Sequence, residues 1–311
     1  MALAERRYNQ TCHDAVVARA MRLLDVALTT TCCTLVLLWW YAIHPQWFKD
    51  CPGPVLKPSP RPEPWCVSFN KKLNKEVARA DAGKAYELVF YGDSITETWR
   101  GTDMGRPCAR CAGVPAIFNR YFGSKYSSEV LAVGGDQAAH LMWRLQHGQL
   151  YMKHQPQLLV VMIGTNDLGA AACLGGEPAI ANAAGGAADR TLGVLKYLRE
   201  NNPQAQIVAL AVLPRGWTDA WHVYDWPSMY ALGIRRINEA LMGFAAQDDA
   251  MHYLDCGPAV TPDGRIHPEL MPDALHPNAA GMELFAQCLS PLVDELMTSQ
   301  MASRDRSIWR G

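Results

Sequence analysis

Short runs of apolar residues alternate with amphipathic stretches through most of the chain. The apolar runs, each of a length that suits a buried strand, lie at 88–91, 129–133, 157–163, 206–213 and 251–255. The stretches that suit helices lie at 69–82, 114–122, 137–147, 184–201, 226–246 and 277–297. Apolar strands that alternate with helices predict a parallel sheet covered by helices on both faces. We therefore expect an α/β fold, a three-layer α/β/α sandwich with a central parallel sheet.

Three residues whose groups could take part in catalysis each follow the end of one of the first three predicted strands. They are Ser94, Gly135 and Asn166. In an open α/β sheet, ligands bind at the edge formed by the carboxyl ends of the strands. Ser94 lies in a glycine-containing strand-to-helix turn, which holds a serine hydroxyl outward as a nucleophile requires. Taken alone, Asp93 or Ser94 could equally cap a helix. Three such residues at successive strand ends favour a catalytic site.

An aspartate and a histidine, Asp273 and His276, precede the last predicted helix. Their spacing can place the carboxylate beside the imidazole, although either residue alone could be a helix cap or a loop charge. A serine hydroxyl is a weak nucleophile and needs a base, and histidine changes charge near neutral pH. We expect His276 to take the proton of Ser94, and Asp273 to orient the imidazole. The oxyanion would bind the backbone N–H groups of Ser94 and Gly135 and the side-chain amide of Asn166.

Four motifs occur together in the order that one hydrolase family shows. They are Gly92-Asp93-Ser94-Ile95, Gly134-Gly135-Asp136, Gly164-Thr165-Asn166-Asp167 and Asp273-Ala274-Leu275-His276. This set resembles the SGNH hydrolases, also called GDSL esterases, with isoleucine at position 95 where the family name has leucine. Segments 134–148 and 213–216 are similar to the catalytic subunits of intracellular platelet-activating factor acetylhydrolase. The resemblance covers roughly residues 87–296.

The resemblance implies both a fold and an activity. The fold is the flavodoxin-like sandwich of SGNH hydrolases, and the activity is a serine esterase for short-chain esters, most often acetyl, of a lipid or glycan. This chemistry requires no metal and no organic cofactor. Two alternatives are an O-acyltransferase, in which a sugar hydroxyl replaces water, and a membrane-tethered binding protein without turnover. The complete set of site residues argues against the binding protein. The net charge of −1 gives no sign of nucleic-acid binding.

Residues 26–48 carry no charged side chain, and this length suits a helix that crosses a bilayer. Tryptophan and tyrosine cluster toward its far end, as they do at membrane interfaces. A cleaved signal peptide, which would end in small residues, and a buried helix are the alternatives. We predict a signal anchor at 26–48 after a short tail, 1–25. A slight excess of lysine and arginine before the anchor predicts a catalytic domain in a lumen or outside the cell.

A proline-dense segment follows the predicted anchor. Proline-rich chain is extended and semi-rigid, so residues 49–84 are interpreted as a stalk and a lead-in helix. The hydrolase domain is expected at 85–298, and a C-terminal tail at 299–311 completes the chain.

Seven cysteines follow the predicted anchor, and an oxidising compartment would favour their pairing. They are Cys51, Cys66, Cys108, Cys111, Cys173, Cys256 and Cys288. A disulfide between the two that bracket the proline-dense segment, Cys51 and Cys66, is conceivable. We predict a disulfide from Cys173 to Cys108 or Cys111, because all three are expected in loops above the sheet. Cys256 and Cys288 are expected to be free, buried thiols. A metal site at the C-x-x-C pair is the less favoured alternative, since no second such pair occurs.

Overall fold

The structure of the protein, a computed structural model, describes residues 51–83, 86–217 and 223–308, with side chains up to residue 300. All of these residues except Cys51 belong to one compact unit, Pro52–Gly311. The predicted membrane anchor, 26–48, and the predicted tail, 1–25, lie outside the described residues. Within the described part of the chain, no helix has the length and apolar character needed to cross a membrane.

A parallel sheet of five strands forms the centre of the unit. The strands in chain order are β1 (Leu88–Gly92), β2 (Thr102–Asp103), β3 (Arg106–Pro107), β4 (Ser128–Ala132), β5 (Leu158–Met162), β6 (Gln206–Leu210) and β7 (Met251–Leu254). The sheet has the order β4-β1-β5-β6-β7, and β2 pairs with β3 in a separate antiparallel hairpin. The five predicted strands correspond to the five of the sheet, so the predicted α/β fold with a central parallel sheet is confirmed.

Helices and apolar side chains cover both faces of this sheet. The helices are α1 (Pro64–Ala82), α2 (Ser94–Glu97), α3 (Val114–Phe118), α4 (Ala138–Gln146), α5 (Thr165–Asn201), α6 (Ala231–Ala245), α7 (Gly257–Val260) and α8 (Ala279–Ile308). Buried side chains of α1, α4, α5 and α6 cluster with Val89 and Tyr91 of β1. Those of α3 and α8 cluster with Leu88 and Phe90, the alternate residues of the same strand. Because both faces of β1 are buried, its sequence is apolar throughout.

Helix α5 differs most from its predicted range, 184–201, because it begins directly after β5. Its residues Gly175 and Gly176 have non-helical backbone angles, and Pro178 follows them. The two glycines interrupt the helix, so Thr165–Asn201 consists of two helical segments that meet at a kink. Cys173 therefore lies in a helix and not in the loop where we predicted it.

The order of the strands brings the predicted site residues to one edge of the sheet. Strand β1 pairs with β4 on one side and with β5 on the other. Gly92, the last residue of β1, is in register with Ala132 and Met162. The segments that leave these three strands therefore start side by side. This is the crevice in which open α/β sheets bind their ligands.

The proline-dense segment from residue 52 to residue 63 contains no helix or strand. It nevertheless contacts the sheet edge, because the backbone N–H of Val55 donates to Gln137 Oε1 at 2.7 Å. The guanidinium group of Arg61 also donates to the carbonyl oxygen of Gly134. This part of the chain therefore differs from a free-standing stalk, since it packs beside the second predicted site motif.

The cysteine pairing differs from the prediction at each position that the structure describes in full. Cys108 is bonded to Cys111, so the predicted bridge from Cys173 to either of them is wrong. Cys256 is bonded to Cys288 and neither is a free thiol, because α8 brings Cys288 to the end of β7. Cys66 is a free, buried thiol, so a disulfide between Cys51 and Cys66 is also wrong. Pairing of this kind depends on three-dimensional proximity that spacing along the chain does not indicate.

Candidate active site

Ser94 begins α2 directly after the tight turn that ends β1. Gly92 has no room for a side chain, because a Cβ atom there would lie 2.6 Å from the carbonyl oxygen of Met162. The carboxylate of Asp93 caps α2 by accepting a hydrogen bond from the backbone N–H of Ile95 at 3.1 Å. The helix cap is therefore Asp93, and the hydroxyl of Ser94 is left to contact a different group.

The side chains of Ser94, His276 and Asp273 form a continuous hydrogen-bonded chain. Ser94 Oγ lies 2.8 Å from His276 Nε2, and His276 Nδ1 lies 2.6 Å from Asp273 Oδ2. The other oxygen of Asp273 accepts hydrogen bonds from the backbone N–H groups of Leu275 and His276 at 3.1 Å and 2.7 Å. Ala274 has a φ of 59°, which is uncommon for a residue with a side chain. This backbone conformation makes the tight turn that returns the carboxylate to the imidazole.

The environment of Asp273 decides which nitrogen of His276 carries a proton. Burial acts to raise the pKa of the Asp273 carboxyl, but the hydrogen bond and charge of His276 and the backbone N–H groups outweigh it. The pKa is therefore held well below its ordinary value. An ionised carboxylate only accepts hydrogen bonds, so Nδ1 of His276 must be protonated. Nε2 is then the acceptor for the Ser94 hydroxyl, as removal of the hydroxyl proton requires.

Gly135 and Asn166 lie beyond the ends of β4 and β5, on either side of Ser94. Gly135 has a φ of 80°, a conformation that strains any residue with a side chain, and a Cβ atom there would have to displace Arg61 Nη1, 2.8 Å away. Asn166 is oriented by a hydrogen bond from Nδ2 to the carbonyl oxygen of Asp136 at 3.0 Å. No acceptor in the described residues pairs with the backbone N–H of Ser94 or Gly135. Both N–H groups are therefore available to a substrate oxygen.

A buried glutamate behind the site, Glu97, holds two loops together. Its Oε2 atom accepts hydrogen bonds from the backbone N–H groups of Gly134 at 2.6 Å and Met104 at 3.1 Å. Its Oε1 atom accepts from Thr102 Oγ1 at 2.7 Å and the N–H of Gly105 at 2.8 Å. A fully buried carboxylate needs such a complete set of donors. Sequence reasoning missed this residue because its acid side chain predicts an exposed position.

Two ion pairs, one buried and one partly buried, hold the segments after β4 and β5. Asp136 accepts a hydrogen bond from Arg144 Nε at 2.7 Å, and Arg144 Nη2 donates to the carbonyl oxygen of Gly92 at 3.1 Å. Asp167 accepts from the backbone N–H of Ala138 at 2.9 Å and from Arg190 Nε at 3.0 Å. These contacts connect the ends of β1, β4 and β5, so the site residues rest on a rigid support.

A further arginine, Arg215, is buried between the motifs that contain Asn166 and His276. It donates to the carbonyl oxygen of Thr165 at 3.0 Å, and its guanidinium group lies 4.2 Å from the ring centre of Tyr230. The next residue, Gly216, donates its N–H to the carbonyl oxygen of Ala274 at 2.7 Å. The segment after β6 therefore supports both motifs.

Asp93 is fully buried, and burial raises its pKa to about 7. The charges of Asp136 and Asp167 also act to raise this pKa, whereas the Ile95 N–H and Arg215 act to lower it. One oxygen of the carboxyl, Oδ2, has no hydrogen-bond partner in the described residues. Elsewhere in these residues, no group of three or more His, Cys, Asp or Glu side chains is arranged to hold a metal ion.

Comparison with known proteins identifies the family. The GDSL-like lipase/acylhydrolase family matches residues 90–284, which is more than half of the chain. The protein therefore belongs to this family, and it is a carboxylic ester hydrolase; the resemblance found in the sequence motifs is confirmed.

Individual relatives agree with this assignment. The chain is 28% identical to platelet-activating factor acetylhydrolase IB subunit alpha1 from Bos taurus over 250 residues, 79% of this chain and 91% of the relative. It is 27% identical to the Homo sapiens subunit over 249 residues, with the same coverage of both chains. A solved structure from Streptococcus pneumonia, described as a platelet activating factor, covers 75% of this chain and 94% of its own, with a TM-score of 0.54 and 19% identity. This last likeness supports the fold.

Proposed function

We propose that the protein is a serine esterase in which Ser94 is the nucleophile, His276 the general base and Asp273 the residue that orients the imidazole. The observation that carries this proposal is the unbroken hydrogen-bonded chain from Ser94 Oγ through His276 to Asp273, with distances of 2.8 Å and 2.6 Å. A base within hydrogen-bond distance of a nucleophile, held in turn by a carboxylate, is the arrangement that activates a serine hydroxyl.

In the first half of the reaction, Ser94 Oγ attacks the ester carbonyl carbon while its proton passes to Nε2 of His276. The carbonyl oxygen becomes an oxyanion, which accepts hydrogen bonds from the N–H groups of Ser94 and Gly135 and from Asn166 Nδ2. The intermediate collapses when Nε2 returns the proton to the departing alkoxide. The products of this half are the free alcohol and an acyl group esterified to Ser94.

In the second half, a water molecule takes the place of the alcohol. His276 Nε2 removes a proton from the water, and the hydroxide attacks the acyl carbonyl carbon. The same three donors stabilise the second oxyanion. Return of the proton to Ser94 Oγ releases a carboxylic acid and restores the enzyme. Throughout both halves Asp273 remains a carboxylate, because its pKa is held well below its ordinary value.

We further propose that the natural substrate is a short-chain ester of a lipid or glycan, with acetyl as the preferred acyl group. Support comes from the relatives that share most of the chain, which are acetylhydrolases by name. In the second half of the reaction, water attacks the acyl group on Ser94. If an acceptor alcohol attacked in place of water, the same site would be an O-acyltransferase.

The test is a comparison of aryl esters with acetyl, butyryl and octanoyl groups, using the full-length protein in detergent. We expect kcat/KM to be highest for the acetyl ester and to fall to background in Ser94→Ala. Activity of Ser94→Ala within about tenfold of the wild type would contradict the role of Ser94. Formation of an acylated sugar in place of free acid, when a sugar acceptor is added, would identify a transferase. A wild type that turns over none of these esters would favour a binding protein.

We also propose that residues 26–48 anchor the protein in a membrane of the secretory pathway, with the catalytic domain in a lumen or outside the cell. The uncharged length of this segment supports an anchor. The bond between Cys256 and Cys288, whose Cα atoms lie 5.9 Å apart, supports an oxidising compartment, because disulfides persist there.

Two measurements on native membranes test this location. The protein should remain with the membranes in alkaline carbonate, and its release would contradict an anchor. After denaturation without reductant, Cys256 and Cys288 should resist a maleimide, while the free thiol of Cys66 should react and serves as the internal control. Reaction of all three cysteines would place the catalytic domain in a reducing compartment.

A further inference from the structure

The proline-dense segment delivers one charged side chain to the predicted oxyanion site. Arg61 donates from Nη1 to the carbonyl oxygen of Gly134 and from Nη2 to Glu63 Oε1 at 2.8 Å. Nη1 also lies 3.6 Å from Asp136 Oδ1, and the guanidinium group lies 4.8 Å from the ring centre of Trp65. Only 12% of the Arg61 side chain is exposed. The guanidinium group is therefore fixed from several directions, as a planar group with five donors can be.

The acceptor of this hydrogen bond belongs to the peptide unit that ends in the N–H of Gly135. The carbonyl group of residue 134 and the N–H of residue 135 are the two ends of one planar unit, and in a trans peptide they point in opposite directions. A donor that fixes the carbonyl end therefore also fixes the direction of the N–H. Hydrogen bonds in series polarise one another, so a charged donor on the oxygen makes the N–H a stronger donor.

The other contacts of this segment leave the peptide unit dependent on Arg61. The N–H of Gly134 is held by Glu97 Oε2 at 2.6 Å, and Asp136 is held by Arg144 Nε at 2.7 Å. The Glu97 contact precedes the 134–135 peptide and the Arg144 contact follows it, and neither reaches the carbonyl oxygen of this peptide. Arg61 lies outside residues 90–284, which the family match covers. The sequence motifs therefore did not indicate it.

We propose that Arg61 is a positioning residue for the oxyanion site. It orients and polarises the 134–135 peptide unit, whose N–H group belongs to Gly135. This inference rests on the proposed function, because it assigns the Gly135 N–H to the oxyanion. This role of Arg61 also makes residues 52–63 part of the catalytic unit and not only a connection to the chain before them.

The test compares Arg61→Ala and Arg61→Lys with Lys57→Ala, a change at an exposed cation of the same segment. Full-length proteins are assayed on an aryl acetate, and their stability is followed by thermal unfolding. Removal of a direct oxyanion donor costs about 10²–10³ in kcat, so loss of its support in Arg61→Ala should cost about 10- to 100-fold in kcat, with KM little changed. Arg61→Lys keeps the charge but not the planar fork and should fall between Arg61→Ala and the wild type. Lys57→Ala should match the wild type.

Two readouts separate positioning from a merely structural role. Millimolar guanidinium should raise kcat of folded Arg61→Ala and leave the wild type and Lys57→Ala unchanged, because the free ion can occupy the vacated position. The rate at which a fluorophosphonate labels Ser94 should fall in step with kcat, since that reaction also develops charge on the oxygen. If Arg61→Ala fails to fold, the kcat and labelling rate of Arg61→Lys decide, and wild-type values would overturn the proposal.

The proposal is also overturned if kcat of folded Arg61→Ala stays within about twofold of the wild type, or if the loss is confined to KM. Ser94→Ala in the same assay separates this failure from failure of the proposed function. An active Ser94→Ala removes the serine mechanism itself. An inactive Ser94→Ala beside a fully active Arg61→Ala removes only the role of Arg61.

Discussion

The Nε2 atom of His276 lies 2.8 Å from Oγ of Ser94, although the two residues are 182 positions apart in the chain. One residue follows the first strand of the sheet and the other precedes the last helix, α8. Their contact therefore depends on the whole fold and not on a local motif. Chemistry that relies on this contact should be lost when any member of the hydrogen-bonded chain is altered while the fold persists.

Replacement of Asp273 by asparagine tests the orientation of the imidazole. Asparagine keeps the size of the side chain but presents an amide in place of the carboxylate that Nδ1 of His276 contacts at 2.6 Å. The imidazole can then adopt the wrong tautomer, so we expect kcat to fall by about 10²–10⁴ with an unchanged fold. Steady-state kinetics with circular dichroism as the folding control measure this. Near-wild-type kcat would remove Asp273 from the mechanism.

Replacement of Asn166 by alanine tests the side-chain donor of the oxyanion site. The loss of one such donor should lower kcat by about 10²–10³ and leave KM nearly unchanged, because the donor acts chiefly in the transition state. Asn201→Ala, near the other end of α5, is the matched control, since its side chain bonds the carbonyl oxygen of Tyr197 within the helix. A loss seen in KM alone would mean that Asn166 binds the ground state.

Replacement of Glu97 by glutamine tests the buried support of the site. In the wild type, the backbone N–H groups of Gly134 and Gly105 each donate to a carboxylate oxygen of Glu97. Glutamine replaces one of these oxygens with an NH₂ group, which is a donor and cannot accept a hydrogen bond. At least one buried donor is left unpaired, which should lower the free energy of unfolding by about 1–3 kcal/mol. Urea denaturation measures the change, and Glu239→Gln, an exposed pair with Arg235, is the control expected to be near neutral. Equal stability of both variants would contradict the hydrogen bonds that Glu97 accepts from the backbone N–H groups of Gly134 and Gly105.

Replacement of Asp93 by asparagine tests the raised pKa of this buried carboxyl. The folded-state pKa of about 7 lies above the unfolded value, so the folded protein binds more protons between these values. The stability contribution of Asp93 is therefore complete below the unfolded pKa of 3.8 and is lost as the pH rises from there through the folded pKa of about 7. Asparagine can still cap α2 and removes this loss.

The measurement for Asp93 is the free energy of unfolding of the wild type and Asp93→Asn at several pH values from 5 to 8. The difference should shift in favour of Asp93→Asn as the pH rises from 5 to about 7, by no more than about 1.4 kcal/mol per pH unit, and should level off above about 7. Other titrating groups occur in both proteins and cancel in the difference. A difference that is constant across this range would show that Asp93 is already ionised at pH 5.

The sheet and the main site residues could be predicted because each leaves a local mark in the sequence. A strand buried on both faces, such as β5, must be apolar throughout, and its ends are marked by glycine and polar residues. Ser94, Gly135 and Asn166 stand directly after such ends. Asp273 and His276 are close in sequence, so their spacing carried information about their contact in space.

The supporting residues could not be predicted because their partners are distant in sequence. Glu97 and Arg144 are charged, which ordinarily indicates an exposed position, and only the fold shows the donors and acceptors that surround them. Cys256 and Cys288 meet because α8 passes the end of β7. Arg61 stands in a proline-dense segment whose composition indicates a spacer, and its contact with Gly134 appears only in three dimensions.

Covalent labelling of the intact protein tests the central claim most directly. A fluorophosphonate reacts with a serine only when a base activates the hydroxyl and donors receive the developing negative charge. We predict a single adduct per chain, located at Ser94 by peptide mass spectrometry, with the rate of labelling strongly reduced in His276→Ala and no adduct in Ser94→Ala. A wild type that hydrolyses an acetyl ester while Ser94 remains unlabelled, or that carries its adduct on a different residue, would contradict the account.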